Sequence, residues 1–419
     1  MQPASLNFIV REPERGVRLR LHLLTPMLGG GPEQGKPDLQ QPFRAKSIRG
    51  QLRWWYRRIV PVSSYEELWE KESHLFGSAG KDEKDSNPGR VRIVVDQSPA
   101  PETATKPVNR LDGHRYAWGL FAKEAATNLV LSEHSAVVTL HGLDDDSLFS
   151  LAAWLLFGGL GARTRRGFGS LLWGVEHGSL PSYEDVLAKL APREGLRIAG
   201  GNGITVLRSG SFPCQNVQQA RKVAMDAWKK SLDWYEAFRK GNLRPGLHRN
   251  SSGPDSHSRW PEANSVRLAQ GRKQTRESEV REVVFPRASL GLPMAVRCAP
   301  KPSPHSFHNV ELELFDKDLG IEHGRWPSTV ITKATFRGDS VEPTVVVLRG
   351  GGPKVAQVRD KSGKVRAESL VAEGFPTEWF DGKGFRTIPE ISGKSARERF
   401  IAYLKYAKEN NKNVWEEAK

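Results

Sequence analysis

The chain has 419 residues, enough for two or three ordinary domains that each bury a core. Its 63 Lys and Arg outweigh 48 Asp and Glu, and a formal charge of +15 calls for a polyanionic partner, either nucleic acid or an anionic membrane surface. The longest apolar run, Leu148 to Leu160, is too short to span a bilayer, and two cysteines, Cys214 and Cys298, are too few for a disulfide framework or a Cys-based zinc site.

Met1 to Val10 shows no basic segment followed by an apolar one, so the reading is cytoplasmic, with no membrane partner. Gly16 to Leu24 (GVRLRLHLL) alternates polar and apolar residues and predicts a half-buried strand. A Gly/Pro-rich loop, Met27 to Pro42, leads to Ser47, which is placed to cap a helix with Ile48, Leu52, Trp55 and Ile59 on its apolar side. Pro61 ends that helix. A second helix is expected over Tyr65 to Leu75, strands over Arg90 to Val95 and Ser135 to His141, and loop between those strands. Asp144, Asp145 and Asp146 suit the positive end of a helix continuing through Leu148 to Phe157. Gly158-Gly159 stops it, and Ser170 to Val175 supplies another strand.

The order strand, helix, strand, strand, helix, strand is the ferredoxin-like, RRM-like pattern, which makes the expected fold class α+β. A second diverged β/α domain is expected to begin with a strand at Gly203 to Leu207 and a helix from Val217 to Lys240. Further strands are placed at Ala295 to Cys298, Val310 to Phe315, Thr329 to Phe336 and Val341 to Leu348, with a helix from Ser395 to Glu409. The expected division is residues 1–190 and 200–419, the second part carrying a long polar segment, 241–282.

Two segments concentrate basic residues. In the loop 158–170 (GGLGARTRRGFGS), five glycines permit positive φ and close backbone approach, while Arg163, Arg165 and Arg166 supply charge. Its N–H groups are expected to face a phosphate backbone, with Gly161 and Gly167 among the contacts. On the first helix, Arg49, Arg53 and Arg57 recur every four residues as one basic stripe, with Trp54 beside them. Arg259-Trp260 repeats the pairing of cation and aromatic ring that single-stranded RNA sites use, although most tryptophans of any chain are core residues.

SIRGQLRWWYRR (47–58) and GGLGARTRRGFGSL (158–171) together resemble the paired signatures of RAMP-superfamily subunits of the type III-B (Cmr) CRISPR effector, most of all its first-numbered subunit. Leu75-Phe76-Gly77-Ser78, Arg259-Trp260-Pro261-Glu262-Ala263, Leu290-Gly291-Leu292-Pro293 and Arg325-Trp326-Pro327-Ser328 add to the resemblance, which is dense over residues 20 to 175 and patchy beyond. It implies tandem ferredoxin-like RAMP domains and no cofactor. It also implies a non-catalytic antiviral role in which the protein holds the 3′ part of the crRNA, the 5′ part of the target RNA, or both, beside other Cmr subunits. The implied RNA contacts are Arg49, Arg53, Trp54, Arg57, Gly161, Arg163, Arg165, Arg166, Gly167, Arg259 and Trp260.

Other chemistry is weaker. GGPEQGKP (30–37) approaches a P-loop, but Pro37 stands where the Mg²⁺-holding hydroxyl belongs and Pro32 removes an N–H from the cradle. Asp38 occupies the loop where target-cleaving RAMP subunits carry a catalytic Asp, and is the minority catalytic candidate; His22 could serve as a general base. These two residues keep open an alternative, a RAMP endoribonuclease that processes repeat RNA or cleaves target RNA. A third reading is an architectural subunit facing acidic protein neighbours. His305 and His308 lack companions for a metal, so no metal site is expected.

Overall fold

The computed structural model describes residues 16–79, 86–111, 113–118, 127–191, 203–241, 245, 260–274, 280–292, 294–296, 306–316, 321–350, 355–360, 365–370, 395–406 and 415–418. Strand β1 (Val17–Leu23) buries Val17, Leu19, Leu21 and Leu23 and exposes Arg18 and Arg20, as its alternation requires. Helix α1 (Ala45–Ile59) starts two residues before Ser47, at an Arg44 N-cap with no side-chain bond. Helix α2 (Tyr65–Phe76) is capped by Ser64, whose hydroxyl accepts from the Glu67 N–H.

Strands β2 (Arg92–Asp96) and β3 (Ser135–His141) precede α3 (Asp145–Phe157), and β4 (Leu171–His177) follows it. The Asp144 carboxylate accepts from the Ser147 N–H at 2.8 Å while the Ser147 hydroxyl receives the Asp144 N–H at 2.8 Å, a closed capping box. The sheet order is β2-β3-β1-β4, antiparallel throughout, with both helix crossovers split as the ferredoxin-like fold demands. The stretch expected as loop before β3 instead contributes Thr105–Pro107 and Leu129–Leu131 to a small second sheet, in which Leu129–Leu131 lies between Thr105–Pro107 and Met27–Leu28.

After α4 (Tyr183–Leu190), the same topology recurs with large insertions. Strand β5 (Ile204–Arg208), helix α5 (Val217–Lys240), strands β6 (Val330–Phe336) and β7 (Ser340–Leu348), helix α6 (Ala396–Tyr406) and strand β8 (Glu416–Glu417) form a sheet ordered β6-β7-β5-β8. Every pair is antiparallel. Between α5 and β6 lie the helix Glu262–Ala269 and the strands Met294–Val296, Val310–Asp316 and Ile321–Gly324; between β7 and α6 lie Val355–Asp360 and Val365–Leu370. The two insertions meet in one antiparallel sheet with its own core around Phe285, Leu312 and Val358.

Helix α3 ties the repeats together. Its sequence is apolar on all sides, which in a water-soluble setting means burial on all sides. Leu151, Trp154 and Phe157 share one continuous cluster with Leu19 and Leu21 of β1 and with Ile331 and Val346 of the second sheet. Its last turn carries no basic residue. The β6 side chains supply what is missing: the Lys333 ammonium donates to Gly158 O at 2.7 Å and the Thr335 hydroxyl to Leu156 O at 3.2 Å. A cation and a hydroxyl from the second repeat thus satisfy carbonyls that the helix end leaves orphaned.

Candidate nucleic-acid interface

The glycine-rich loop runs from the end of α3 to β4, against α1 on one side and β6 on the other. Several of its backbone amides bond within the fold. Leu160 N–H donates to Gly169 O, Ala162 N–H to Leu28 O, Gly167 N–H to Thr164 O and Gly169 N–H to Pro26 O, at 2.7–3.0 Å. These donors already have acceptors within the fold.

The glycines have a packing reason. Gly167 has φ 86°, and a Cβ there would stand 2.1 Å from the Trp228 indole nitrogen and 2.7 Å from Thr332 O. Trp228 Nε1 donates to the neighbouring Arg166 O at 2.6 Å, and the Thr25 hydroxyl donates to Gly167 O at 2.6 Å. Gly167 is buried. Gly161, at φ 82°, brings the loop against Met27 and Leu28.

What the loop offers outward is guanidinium. Arg163, alone among the described non-glycine residues in having positive φ (56°), donates to Ala117 O at 3.0 Å. Arg165 donates to Ser328 O at 2.5 Å and lies 5.0 Å from the centre of the Trp54 ring. Arg166 donates to the Ser328 hydroxyl at 3.0 Å and to Val330 O at 3.1 Å, with its guanidinium 4.7 Å from the Tyr235 ring. Arg58 joins them from α1, 4.3 Å from Trp54. Neither Arg165 nor Arg166 forms an ion pair with a carboxylate among the described residues. Burial and the mutual repulsion of these groups push Arg58 (beside Arg165), Arg163 and Arg165 (both beside Arg166) each down to about 10. Five donors on a planar fork leave capacity for a ligand after one or two carbonyl bonds.

The α1 stripe is built differently. Arg49 donates to Phe76 O at 2.7 Å and Val91 O at 3.0 Å. Arg53 and Arg57 both grip the buried Glu72 carboxylate from α2, at 2.5 Å each. Burial alone would raise the Glu72 carboxyl, but hydrogen bonds from Arg57 and Arg53 outweigh it and hold the group below its ordinary value. The stripe thus fastens α2 to α1, while Arg53 and Arg57 remain 32 % and 47 % exposed. Trp54 is half-buried, with Arg58 and Arg165 already against its ring.

Trp260 is 1 % exposed, donates to Phe238 O at 2.9 Å and meets the Phe238 ring edge-on at 5.1 Å. It is a core residue. Arg259 and His305 lie outside the described residues. The Asp38 carboxylate accepts the Gln40 and Gln41 N–H groups at 3.1 and 3.0 Å, the bonding of a turn residue. His22 sits on β1 where burial, Arg221 and Arg20 all lower its pKa. No group of three His, Cys, Asp or Glu residues able to hold a metal occurs among the described residues, and no helix there is long and apolar enough to cross a membrane.

Sequence reasoning missed two functional-site elements, Arg58 and Lys333. Arg58 is legible only as one more basic residue of α1. Lys333 lies inside an apolar strand pattern (VITKATF), where an isolated Lys is itself a signal of a buried, specifically bonded cation.

The comparisons with known proteins bear on this region. No curated protein matches the sequence. Among solved structures, the crystal structure of Cmr1 from Pyrococcus furiosus in its apo form is similar at 14 % identity, with 92 % of this chain and 96 % of that chain covered and a TM-score of 0.43. Chains from two cryo-EM structures of the type III-B Cmr-beta complex are also similar. One is bound to cognate target RNA and AMPPnP in the presence of ssDNA (12 % identity, 81 % and 95 % covered, TM-score 0.42). The other is bound to cognate target RNA (10 % identity, 86 % and 97 % covered, TM-score 0.41). Residues 20–172, from within β1 to the start of β4 and including the whole glycine-rich loop, match the model of the RAMP superfamily.

Proposed function

We propose that the chain is a non-catalytic RNA-binding subunit of a type III-B (Cmr) CRISPR ribonucleoprotein, with crRNA and target RNA as its ligands. The observation that carries the reading is the arginine cluster of the glycine-rich loop. Arg165 and Arg166 are held by carbonyls, hydroxyls and aromatic rings, with no described carboxylate to neutralise them, in a chain of net charge +15. Charge assembled at a folding cost and left unneutralised suits a phosphate backbone. Arg53 and Arg57, two cations sharing one carboxylate, add long-range attraction.

The motif resemblance in 47–58 and 158–171 supplies the type III-B placement, at the 3′ part of the guide and the 5′ part of the target. The recurrence of the ferredoxin-like topology supports a division into tandem RAMP domains over 1–190 and 200–419. The turn bonding of Asp38 speaks against the nuclease alternative.

The test is an electrophoretic mobility shift with single-stranded RNA at moderate salt, comparing wild type with Arg163→Ala, Arg165→Ala and Arg166→Ala combined. Weakened binding by a variant that keeps its far-UV circular dichroism is expected. Equal affinity would overturn the assignment, and a defined cut in RNA incubated with chelator would favour the nuclease.

A further inference from the structure

Between α1, the glycine-rich loop and β6 lies a cavity of about 90 Å³, its lining including Gln51, Trp54, Trp55, Phe157, Thr164, Arg165 and Ile331. A water needs roughly 10–15 Å³ of such space, so a polyatomic group fits. One wall is apolar, from Phe157 and Ile331, and fixes the shape. The polar wall is rich in donors: an amide, a hydroxyl and a guanidinium. Trp55 is 1 % exposed, and its Nε1, a donor only, is buried with no hydrogen-bond acceptor among the described residues. An unsatisfied buried N–H costs about 1–3 kcal/mol, so this part of the fold carries a polar group without an acceptor beside the cavity-lining Trp55 ring.

The electrostatics point the same way. No carboxylate among the described residues lines the cavity. Arg58 lies on the Trp54 ring, and the Lys333 ammonium is bonded to the carbonyl of Gly158, which itself lines the wall. A base would need mixed donors and acceptors and a free aromatic face, and the Trp54 ring already carries two guanidinium groups.

We infer that this cavity seats one phosphate group of the bound RNA, with Arg165 as its charge partner and Thr164 and Gln51 as neutral donors. The inference rests on the RNA-binding reading and makes it more specific: the backbone crosses the seam between the two repeats, touching α1 and the loop at one phosphate.

The experiment uses the full chain and inorganic phosphate as the probe, followed by calorimetric titration. Phosphate is expected to bind the wild type. The double variant Gln51→Leu, Thr164→Val, which leaves Arg165 and Trp55 in place, is expected to lose about ten-fold in phosphate affinity, the scale of one bond to a charged group. Saturating single-stranded RNA should displace the phosphate from wild-type protein, a measurement that needs no variant to fold.

A wild-type chain that ignores phosphate yet binds RNA would overturn the subsite and leave the RNA reading standing. Phosphate that stays bound under saturating RNA would overturn the assignment to the backbone. A chain that binds phosphate but no RNA would overturn the functional reading and, with it, this inference.

Discussion

Replacing Glu72 with Gln tests whether the α1 arginines are structural. Glu72 is 4 % exposed and accepts from Arg53 at 2.5 Å and from Arg57 at 2.5 and 2.8 Å. Glutamine keeps the shape but removes the charge and one acceptor, so two guanidinium groups lose their counterion. Breaking a fully buried pair costs about 3–5 kcal/mol. Here both arginines are partly exposed and water takes over some of the lost solvation, so the loss should be nearer 2 kcal/mol. Urea unfolding should show a lower midpoint with an unchanged slope.

The pH dependence is fixed in sign. The native Glu72 carboxyl sits below its ordinary value, so its contribution is present above the unfolded-state pKa and is lost as pH falls through the native one. The gap between wild type and Glu72→Gln should therefore hold at neutral pH and narrow only below the ordinary carboxylate range. A difference under about 0.5 kcal/mol at neutral pH, the size of a surface substitution, would refute the reasoning.

The seam and the core yield three more expectations. Thr335→Val removes the bond to Leu156 O at similar volume and should cost about 1 kcal/mol in urea unfolding. Lys333 is fully buried, and desolvation pushes its ammonium down to about 7 against the pull of the helix-end carbonyl. The unfolded chain therefore binds the extra proton between about pH 7 and the ordinary lysine value, so wild-type stability relative to Lys333→Met should rise with pH from about 7 upward; a flat difference would contradict this. Trp260→Ala should cost about 3–5 kcal/mol of stability while the folded protein keeps its RNA affinity, measured by filter binding below the unfolding transition.

Much of the first repeat is legible because its elements carry clean periods. The alternation of β1, the apolar face of α1 and the aspartates ahead of α3 place each element, and Ser135–His141 and Val217–Lys240 occur where expected. Three things resist sequence reading. The sheet made from two insertions joins strands far apart in the chain, and short strands such as Leu129–Leu131 offer too few residues for a period. A stripe such as Arg49, Arg53 and Arg57 shows in its spacing, whereas Glu72, which claims two of the three, reaches it only through the packing of α2. Arg259-Trp260 reads like Arg53-Trp54 until Phe238 and its carbonyl, on another helix, enclose the Trp260 indole. The glycines of the loop are legible as close approach, and at Gly167 what approaches is Trp228, which lies far along the chain.

The central claim, that the loop arginines neutralise RNA phosphates, is tested most directly by the salt dependence of RNA affinity. For single strands, log affinity falls against log salt concentration with a slope of about −0.7 per phosphate neutralised. Arg165→Gln with Arg166→Gln, checked for an intact fold, should flatten that slope by roughly 0.7 to 1.4 relative to wild type, as one or two contacts are lost. Parallel slopes for the two proteins would show that these arginines meet no phosphate and would contradict the account.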